Sequence, residues 1–417
     1  MKGEAKGTMF GAPLIEAFRA SLDERSRTTL ARAADRIVDV KRRGGRVMVV
    51  TGSGPNIHEG VTTLIAELIR VGVVDAVSTS SAVVSHEMGG ALDRVWRVDA
   101  AALAARGAFP ECVGMEDMPR GELFELTRMS EEELDALRRE MPLDEELLAV
   151  ARELPVHSEI IKAAGNMAYP MGLRGERLAI EILALARMYG LPFEEVAGWG
   201  CDPRTMLGAA ARRGVPVLVT IPQLVGGGAV GMAIGDSIPV SARSMRVSRM
   251  LASCDVIIES AVALTQEIHD GPFECYTGHG IWAAWSGQAT YSSRGKTLIR
   301  IDLDEQLRQA VEMHGEVQDA IDRGLPKTKM AKIPFRMEMS AFARHEGSLP
   351  IVGDIGKAWP VLAHDVAKEL GFELEFLSAA QGGPEGEAMR EHIVESVRPL
   401  DRARMLERAR AWGRERA

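Results

Sequence analysis

The stretch that decides the fold is RVMVVTGSGPNIHEGVTTLIAELIRVGVVDAVSTSSAVVSHEM, residues 46–88. It begins with a short apolar run, Arg46–Thr51, whose β-branched residues are typical of a strand buried on both faces. A loop of small residues follows, and then the apolar periodicity of a helix over Val61–Arg70. A second apolar run, Val73–Ser78, comes soon after that helix. The pattern therefore predicts a strand, a loop, a helix and a second strand, which is the unit of a parallel α/β sheet.

Further apolar runs of this kind recur along the chain, with helical patterns between several of them. The sequence therefore predicts an α/β protein with a mainly parallel sheet and crossover helices. Residues 1–45 form a predicted N-terminal helical segment, residues 46–380 the α/β domain and residues 381–417 a C-terminal helical tail. The further predicted strands are Val215–Ile221, Asp255–Glu259, Thr297–Leu303 and Leu349–Gly353, and the predicted helices include residues 12–43, Leu178–Tyr189 and Gln306–His314.

The loop after the first strand contains Gly52, Ser53, Gly54 and Asn56. Small residues let the backbone turn tightly, and they let a phosphate approach the N–H groups at the start of the next helix. The same glycines also suit an ordinary turn, because the loop is neither a GxGxxG nor a Walker sequence. The loop alone therefore leaves a phosphate site and a plain turn equally open.

Hydroxyl groups follow the second strand at Ser80 and Ser81, and His86 and Glu87 come shortly after them. Ligands of open parallel sheets bind beside the carboxyl ends of the strands. If the two strands are neighbours, both loops border one crevice, which favours a ligand site. His86 taken alone also fits an exposed residue beside a helix cap.

Acidic residues follow the later strands at similar places. Asp236 lies in a glycine-rich segment after the third predicted strand, Glu267 lies beyond the fourth, and Asp302 and Asp354 lie at the ends of the fifth and sixth. A carboxylate at such a position can accept hydrogen bonds from ribose hydroxyls. For Asp236, a flexible loop with a turn aspartate is the alternative. The arrangement predicts a nucleotide site along the carboxyl edge of the sheet.

Three segments interrupt this pattern. Residues 110–155 contain a capping box at Ser130–Glu133, and we expect a helical excursion there that could serve as an oligomer arm. Residues 271–295 are rich in Gly, Trp and Tyr, and residues 315–348 are rich in lysine. Long loops inside a compact domain are usually lids or contact surfaces. For residues 271–295, a lid over the site and an aromatic dimer contact are equally open.

Composition sets wider bounds on the function. The formal net charge is −9 and the pI is about 5.6, which argues against a nucleic-acid surface. The four cysteines have no zinc-ligand spacing, so we expect no metal site and free thiols in a reducing cytoplasm. No apolar run approaches the roughly 20 residues that cross a bilayer, and we find no signal peptide. We therefore expect a soluble cytoplasmic enzyme without membrane or nucleic-acid partners.

Val49–Pro55 together with Val74–Glu87 resembles the NAD-binding domain of deoxyhypusine-synthase-like proteins. The resemblance is closer to the archaeal-type ornithine cyclodeaminase domain, formerly described as lysine-ketoglutarate reductase/saccharopine dehydrogenase-like. That family has a similar strand, small-residue loop and His–acid pair, which His86 and Glu87 match here. The resemblance runs in pieces from about residue 46 to 370, with later landmarks at Val215–Val219, Met250–Ile258, Ile301–Asp304 and Leu349–Gly356.

The resemblance implies a Rossmann-like sheet of deoxyhypusine-synthase type that binds NAD in its crevice, often completed by a second subunit of a homodimer or homotetramer. Deoxyhypusine synthases carry a nucleophilic lysine after a late strand, because its amine forms an imine with the transferred group. Thr265 stands near that position here, which argues against deoxyhypusine transfer. The implied cofactor residues are Asn56, Ser80, Ser81, Glu87, Asp236, Asp302 and Asp354, beside Gly52, Ser53 and Gly54 of the first loop.

We therefore expect an NAD-dependent enzyme that removes hydride from the amine-bearing carbon of a small amine or amino acid. The resulting imine would cyclise, hydrolyse or be reduced again. His86 or Glu87 is the predicted base, and Asp236 or Glu267 is the predicted anchor for the substrate amine. No basic residue is placed for a 2′-phosphate, which favours NAD over NADP.

Two alternatives stay open. The first is an aminoalkyl transferase of the deoxyhypusine or homospermidine synthase type, with Lys296 or Lys357 as the nucleophile. The second is a protein that binds a nucleotide and catalyses nothing. Covalent trapping of a substrate imine on a lysine would identify the first, and tight nucleotide binding without turnover would identify the second.

Overall fold

The computed structural model describes residues 11–109, 123–164, 168–224, 226–261, 273–278, 280–325 and 342–416. Within these residues, a sheet of six parallel strands forms the centre of the molecule, and a smaller antiparallel sheet has three strands. The strands are β1 Val47–Thr51, β2 Ala76–Thr79, β3 Leu92–Asp99, β4 Leu123–Thr127, β5 Ser158–Ala163, β6 Val217–Val219, β7 Val256–Ser260, β8 Thr297–Asp302 and β9 Ser348–Val352.

Helices pack on both faces of the central sheet. None of them, in the described part of the chain, is long and apolar enough to cross a membrane. They are α1 Ala12–Ser21, α2 Glu24–Arg42, α3 Pro55–His58, α4 Val61–Arg70, α5 Ser81–Met88, α6 Ala100–Ala105, α7 Glu131–Glu140, α8 Glu145–Glu153, α9 Met171–Tyr189, α10 Phe193–Gly200, α11 Met206–Arg213, α12 Ala229–Ser237, α13 Val240–Ser253, α14 Gly280–Trp285, α15 Gln306–Asp322, α16 Ile355–Leu370, α17 Pro384–Ser396 and α18 Arg402–Arg416.

The central sheet has the strand order β6-β2-β1-β7-β8-β9. When only its parallel strands are counted along the chain, this is the order 3-2-1-4-5-6 of the Rossmann fold. The direction of strand addition reverses between β1 and β7, where Thr51 lies opposite Ser260. The predicted fold class, a Rossmann-like parallel α/β sheet flanked by helices, is confirmed.

All six predicted parallel strands are present. Each of the five residues of β1 is buried, as its β-branched run predicts. Val49 and Val77 face one hydrophobic core, whereas Met48 and Val50 face a second core on the other side of the sheet. The sheet is therefore covered on both faces, which explains why its strands are continuous apolar runs instead of alternating ones.

The antiparallel sheet, in the order β4-β3-β5, was not predicted. The predicted helical excursion at residues 110–155 contains α7 and α8 and lies outside the central sheet, but it also contains the unpredicted strand β4; residues 110–122 lie outside the described residues. The buried apolar residues of β3 recur every third position, at Leu92, Val95 and Val98, which hides the alternation of a strand. The capping box that opens α7 at Ser130 is confirmed.

Both terminal segments pack against the central domain. The single helix predicted over 12–43 is two helices, because Asp23 interrupts it and accepts a hydrogen bond from Ser26 N at 2.9 Å, which caps α2. In the C-terminal segment, Met389 is fully buried in the main core. Leu400 N donates to Met88 O at 2.9 Å. The tail therefore forms one wall of the domain.

Gly208 is a position where the packing forbids a side chain. A Cβ there would lie 2.0 Å from Asp202 O, whereas a Cβ at Gly235, also in a helix, would lie 4.0 Å from its nearest neighbour, Leu224. We expect Gly208→Ala to lower the free energy of unfolding by about 1–3 kcal/mol, because the backbone must shift. Gly235→Ala should raise it by up to about 1 kcal/mol. Denaturant unfolding of both variants measures this, and equal effects would refute the packing argument.

Candidate functional site

The carboxyl ends of the central strands form one edge of the sheet. Thr79 lies beside Thr51 in the pairing of β2 with β1, and its hydroxyl donates to Thr51 O at 2.8 Å. Thr220 N donates to Thr79 O at 3.0 Å, which ties the end of β6 to the same edge. The predicted cofactor residues that follow these strands at this edge are Gly52, Ser53, Gly54, Ser80, Ser81, Asp302 and Asp354.

A buried polar contact joins the first loop to β7 at the point where the strand order reverses. Asn56 is 1% exposed, and its Nδ2 lies 3.5 Å from Ser260 O. The Ser260 hydroxyl donates to Asn56 Oδ1 and accepts a 2.8 Å hydrogen bond from Trp359 Nε1. Ala261, the next residue, has φ of 61°, a left-handed conformation that is uncommon outside glycine. Such backbone strain concentrates at binding sites.

Gly54 opens the backbone of the first loop to a ligand. Its φ of 68° and ψ of −120° lie in a region that is populated almost only by glycine. Gly54 is exposed, and a Cβ built on it would meet no atom within 4 Å. The turn therefore presents main chain, without a side chain, to open space beside Asn56. A phosphate can approach backbone N–H groups closely at such a turn.

The structure argues against the predicted approach of phosphate to the N-terminus of the helix at 61–70. The one-turn helix α3 intervenes between the loop and α4. Gly60, which precedes α4, is covered by the C-terminal segment, since a Cβ there would lie 2.5 Å from Met389 Sδ and 3.3 Å from Phe376 Cζ. Of the two predicted phosphate positions, only the Gly52–Gly54 turn is open in the structure.

Ser80 and Ser81 use their hydroxyls to shape the rim of the crevice. Ser80 Oγ accepts from Val83 N at 3.2 Å and so caps α5. Ser81 Oγ donates to Gln223 O at 2.6 Å, and Gly227 packs directly against the Ser81 main chain. The two serines thus hold the loop after β6 against the end of β2.

Asp302 carries a carboxylate oxygen that is buried without a hydrogen-bond partner in the described residues. Its Oδ1 accepts from Asp304 N at 3.2 Å, and its Oδ2 lies 3.9 Å from Arg300 Nε. Burial raises the pKa of this carboxyl group. Asp354 differs, because it caps α16 by accepting from Gly356 N at 2.9 Å. Of the two predicted ribose acceptors, Asp302 is the one with an oxygen that accepts no hydrogen bond from a described residue, and that oxygen is buried beside Arg300.

Glu59 was missed by the sequence analysis and lies between the first loop and the C-terminal segment. Its Oε2 accepts from Gln381 N at 2.8 Å. Burial raises its pKa, and the nearby charge of Asp354 adds to that shift. Its only sequence signal was a position two residues before the confirmed helix α4. The partner at Gln381 is too distant in sequence to have been predicted.

Glu87 does not face the crevice. It is 2% exposed, and its two carboxylate oxygens accept from Met206 N at 2.8 Å and Leu207 N at 2.9 Å. It therefore caps α11 from inside the fold. This placement argues against the predicted role as a base or cofactor ligand, because both oxygens are already engaged with backbone N–H groups.

The pKa of Glu87 gives a testable pH dependence. Burial raises this pKa to about 7, so the folded state binds the proton more tightly than the unfolded chain does. The resulting stability is complete below the ordinary pKa of glutamate and is lost as the pH rises through about 7. We expect Glu87→Gln to flatten the decline of unfolding free energy between pH 5 and 8, which amounts to about 3 kcal/mol at most. An unchanged pH profile in urea unfolding would contradict this placement.

Asp236 lies away from the crevice. It is near the C-terminal end of α12, its side chain is 67% exposed, and its Oδ2 lies 3.7 Å from Arg187 Nη2. The helix rise places it about 10 Å along the axis from Ala229, where α12 begins. The structure therefore argues against its predicted role as substrate anchor or cofactor ligand. Glu267, the other predicted anchor, lies outside the described residues.

A cluster of titratable groups that the sequence did not predict lies beside the first loop. We name it the β3–β5 cluster, and its centre is Asp93, which pairs across the strands with Lys162. Neither oxygen of Asp93 accepts a hydrogen bond from another described residue, and burial raises its pKa to about 7. Lys162 Nζ also forms an ion pair with Glu125. The cluster consists of His58, His86, Asp93, Glu125 and Lys162.

His86 is the predicted catalytic residue that belongs to this cluster. Its Nδ1 lies 2.5 Å from Ala164 O, and burial lowers the pKa of its imidazole. His58, on α3 two residues after Asn56, also has a pKa lowered by burial. Neutral imidazoles and a carboxyl group with a pKa near 7 are suited to proton transfer at physiological pH. Such perturbed groups mark functional sites more often than other surfaces.

The described parts of 271–295 are held by Glu274. This residue is fully buried and accepts from Thr277 N at 2.7 Å and Ser293 N at 2.8 Å. In contrast, Trp282 and Trp285 are 61% and 74% exposed. Whether this exposed pair belongs to a lid or to a subunit contact stays a prediction.

No protein-family model matches the chain. Over 65 residues, the chain is 37% identical to ornithine cyclodeaminase of Methanothermobacter thermautotrophicus, a match that spans 16% of this chain and 16% of that protein. Among solved structures, a LOR/SDH protein from Methanococcus maripaludis S2 is similar, with 10% identity, a TM-score of 0.38 and coverage of 88% of this chain and 75% of that one. AgrE in complex with ornithine and NAD+ gives 12% identity, a TM-score of 0.39 and coverage of 84% and 34%. Both TM-scores are below 0.5, so these similarities assign no role to this chain.

Proposed function

We propose that this chain binds NAD in the crevice between β1 and β7 and acts on a small amino acid or amine, in the manner of ornithine cyclodeaminase. The observation that carries the proposal is the open turn at Gly54, which follows the first strand of a sheet in Rossmann order and borders the switch point. Dinucleotides bind at such a switch point in folds of this order. The 65-residue match to ornithine cyclodeaminase supports the choice of substrate class.

The residues at the edge fit a dinucleotide. The turn at Gly52–Gly54 offers main chain to a pyrophosphate, because no side chain fills the space beside Gly54. The Asp302 carboxylate, buried at the end of β8 beside Arg300, is the acceptor that we assign to a ribose hydroxyl. Ser80 and Ser81 stand at the end of β2, where many NAD-binding folds carry an acid. When bound, NAD supplies the acceptor for the hydride.

We assign the proton chemistry to the β3–β5 cluster. The substrate ammonium must lose a proton before hydride can leave the amine-bearing carbon, and that proton needs an acceptor with a pKa near the working pH. Asp93 and His86 meet this requirement, since burial brings the pKa of Asp93 to about 7 and keeps His86 neutral. The ionised Asp93 carboxylate also attracts the ammonium group. One hydride and one proton then leave the substrate, and its amine becomes an imine.

The contacts of Lys296 argue against it as the nucleophile of the aminoalkyl transferase alternative. Lys296 precedes β8, at the amino end of the sheet, and its Nζ donates to Ala252 O at 2.9 Å and Cys254 O at 2.6 Å. Those contacts place it at the opposite end of the strands from the Gly54 turn. Lys357, in the first turn of α16, stays the single candidate nucleophile of the original two.

Turnover of amino acids in the presence of NAD tests the proposal. The full chain is incubated with NAD and ornithine, lysine, arginine or putrescine, and NADH absorbance, released ammonia and product mass are followed. We expect NADH or released ammonia with at least one of these amines, because the hydride transfer that forms the imine reduces NAD and the imine then loses ammonia on hydrolysis or cyclisation. Tight NAD binding without either product would favour the non-catalytic alternative. A product covalently held on Lys357 after borohydride reduction would favour the transferase.

A further inference from the structure

A second cavity lies at the other end of the strands from the NAD crevice. It has a volume of about 490 Å³ and is bordered by the start of the edge strand β6, at Val215–Leu218, and by α10, α11, α13 and α18. This volume is within the range of small-molecule sites. We propose that the cavity binds a small carboxylic acid with an apolar, preferably aromatic, body. The proposal is independent of NAD binding and of the chemistry at the β3–β5 cluster.

The walls of the cavity are suited to an apolar body. Trp199 of α10 and Trp412 of α18 have ring centroids 5.7 Å apart and are tilted by 40°. Leu207, Pro216 and Met250 complete the apolar lining. These residues come from five separate segments of the chain, so the shape of the cavity is fixed by the tertiary fold. A planar ring that packs against the indoles gains binding free energy beyond that of its buried area alone.

The polar lining favours an anion. Arg246 and Arg249 of α13 border the cavity, and within the described residues neither forms an ion pair or a hydrogen bond; Arg246 is half-buried and Arg249 is exposed. The indole N–H of Trp412 is buried and has no acceptor there either. Buried donors in native proteins are normally satisfied, so the indole N–H of Trp412, with two solvent-accessible arginines beside the same cavity, favours an anionic acceptor. A carboxylate supplies two oxygens for such donors.

Three other charged residues border the cavity, Glu194, Glu195 and Arg408. Glu194 is held in its ion pair with the buried Arg243. Arg408 Nη1 is engaged with Glu415 Oε1 at 2.8 Å and lies over the Trp412 ring. Burial raises the pKa of Glu195, and the nearby charge of Arg246 opposes part of that shift. The cations therefore outnumber the free carboxylate, and the cavity selects an acid over an amine of the same shape.

Displacement of a fluorescent reporter tests this assignment. Anilinonaphthalene sulfonate, an apolar anion, is bound to the full chain, and phenylpropionate and phenethylamine compete for it as an acid and an amine of similar shape. We expect phenylpropionate to displace the reporter and phenethylamine to leave it bound. The Arg246→Gln, Arg249→Gln double variant should weaken phenylpropionate by about ten- to a hundredfold, because it removes charge-assisted hydrogen bonds.

Two further variants show whether the loss of phenylpropionate affinity arises at this cavity. Trp412→Phe keeps a ring and removes the N–H, so it should weaken phenylpropionate severalfold. Arg410→Gln, on the exposed face of the same helix, should leave the affinity unchanged. Equal displacement by acid and amine, an unchanged affinity in the double variant, or an equal loss with Arg410→Gln would overturn the proposal. Displacement of the reporter by NAD alone would also overturn it, because the reporter would then occupy the crevice.

Discussion

Replacing Arg243 by methionine should lower the free energy of unfolding by about 3–5 kcal/mol. The side chains of Arg243 and Glu194 are both 0% exposed and form an ion pair. Arg243 Nη2 donates to Ile234 O at 2.9 Å, and Glu194 Oε1 accepts from Val219 N at 2.7 Å. Loss of the guanidinium leaves a carboxylate buried without its counter-charge, which is the costly case. Denaturant unfolding measures the loss.

Two variants show whether the buried charge is the cause. Arg249→Met changes an exposed arginine on the same helix and should alter stability by no more than about 0.5 kcal/mol. The double variant Glu194→Met, Arg243→Met removes both charges and should recover much of the loss, because apolar pairs of similar volume often replace buried ion pairs without cost. A loss for Arg243→Met no larger than that for Arg249→Met would contradict the account.

Replacing Asp93 by asparagine should lower kcat/KM of the proposed amine oxidation by about a hundred- to ten-thousandfold, the usual contribution of a positioned proton acceptor. The pH profile should change as well. Wild-type turnover rises as the pH passes through about 7, because Asp93 accepts a proton only when it is ionised. We expect Asp93→Asn to show no such rise in turnover. Glu159→Gln, on the exposed face of the neighbouring strand, should retain wild-type kcat/KM.

Stability separates a loss of chemistry from a loss of fold in this variant. The raised pKa of Asp93 means that its stabilising contribution is complete below the ordinary aspartate pKa and is lost as the pH rises through about 7. Asp93→Asn should therefore be at least as stable as the wild type at pH 8, while its turnover is lower. A variant that is unstable at pH 8, or one that is fully active there, would remove Asp93 from the proposed site.

The central sheet was predictable because its strands are buried on both faces. Val47–Thr51 and the five runs like it carry that burial in their own residues, so no knowledge of neighbours was needed. The antiparallel sheet was not predictable in the same way. Asp93 and Arg94 make β3 appear polar, and their partners, Lys162 and Glu391, lie far along the chain. Only the tertiary fold pairs them.

The position of the candidate site's residues along the sheet was predictable, but the direction of their side chains was not. The glycine at residue 54 and the polar residues after each strand placed the edge correctly, because the carboxyl ends of parallel strands always meet. The direction of a helical side chain depends on what packs against the helix. Glu87 meets the N-terminus of α11, and Asp236 meets Arg187 and solvent, and neither neighbour is visible in the local sequence.

The central claim is that NAD binds against the turn at Gly54, and calorimetric titration of NAD tests it most directly. Gly54→Ala adds a Cβ to the open space beside that turn, whereas Gly44→Ala adds one at another positive-φ glycine, beyond α2, that also has no neighbour within 4 Å. We predict saturable NAD binding by the wild type and by Gly44→Ala, and binding at least about tenfold weaker in Gly54→Ala, because backbone approach is blocked. Absence of NAD binding to the wild type, or equal affinities in all three proteins, would contradict the account.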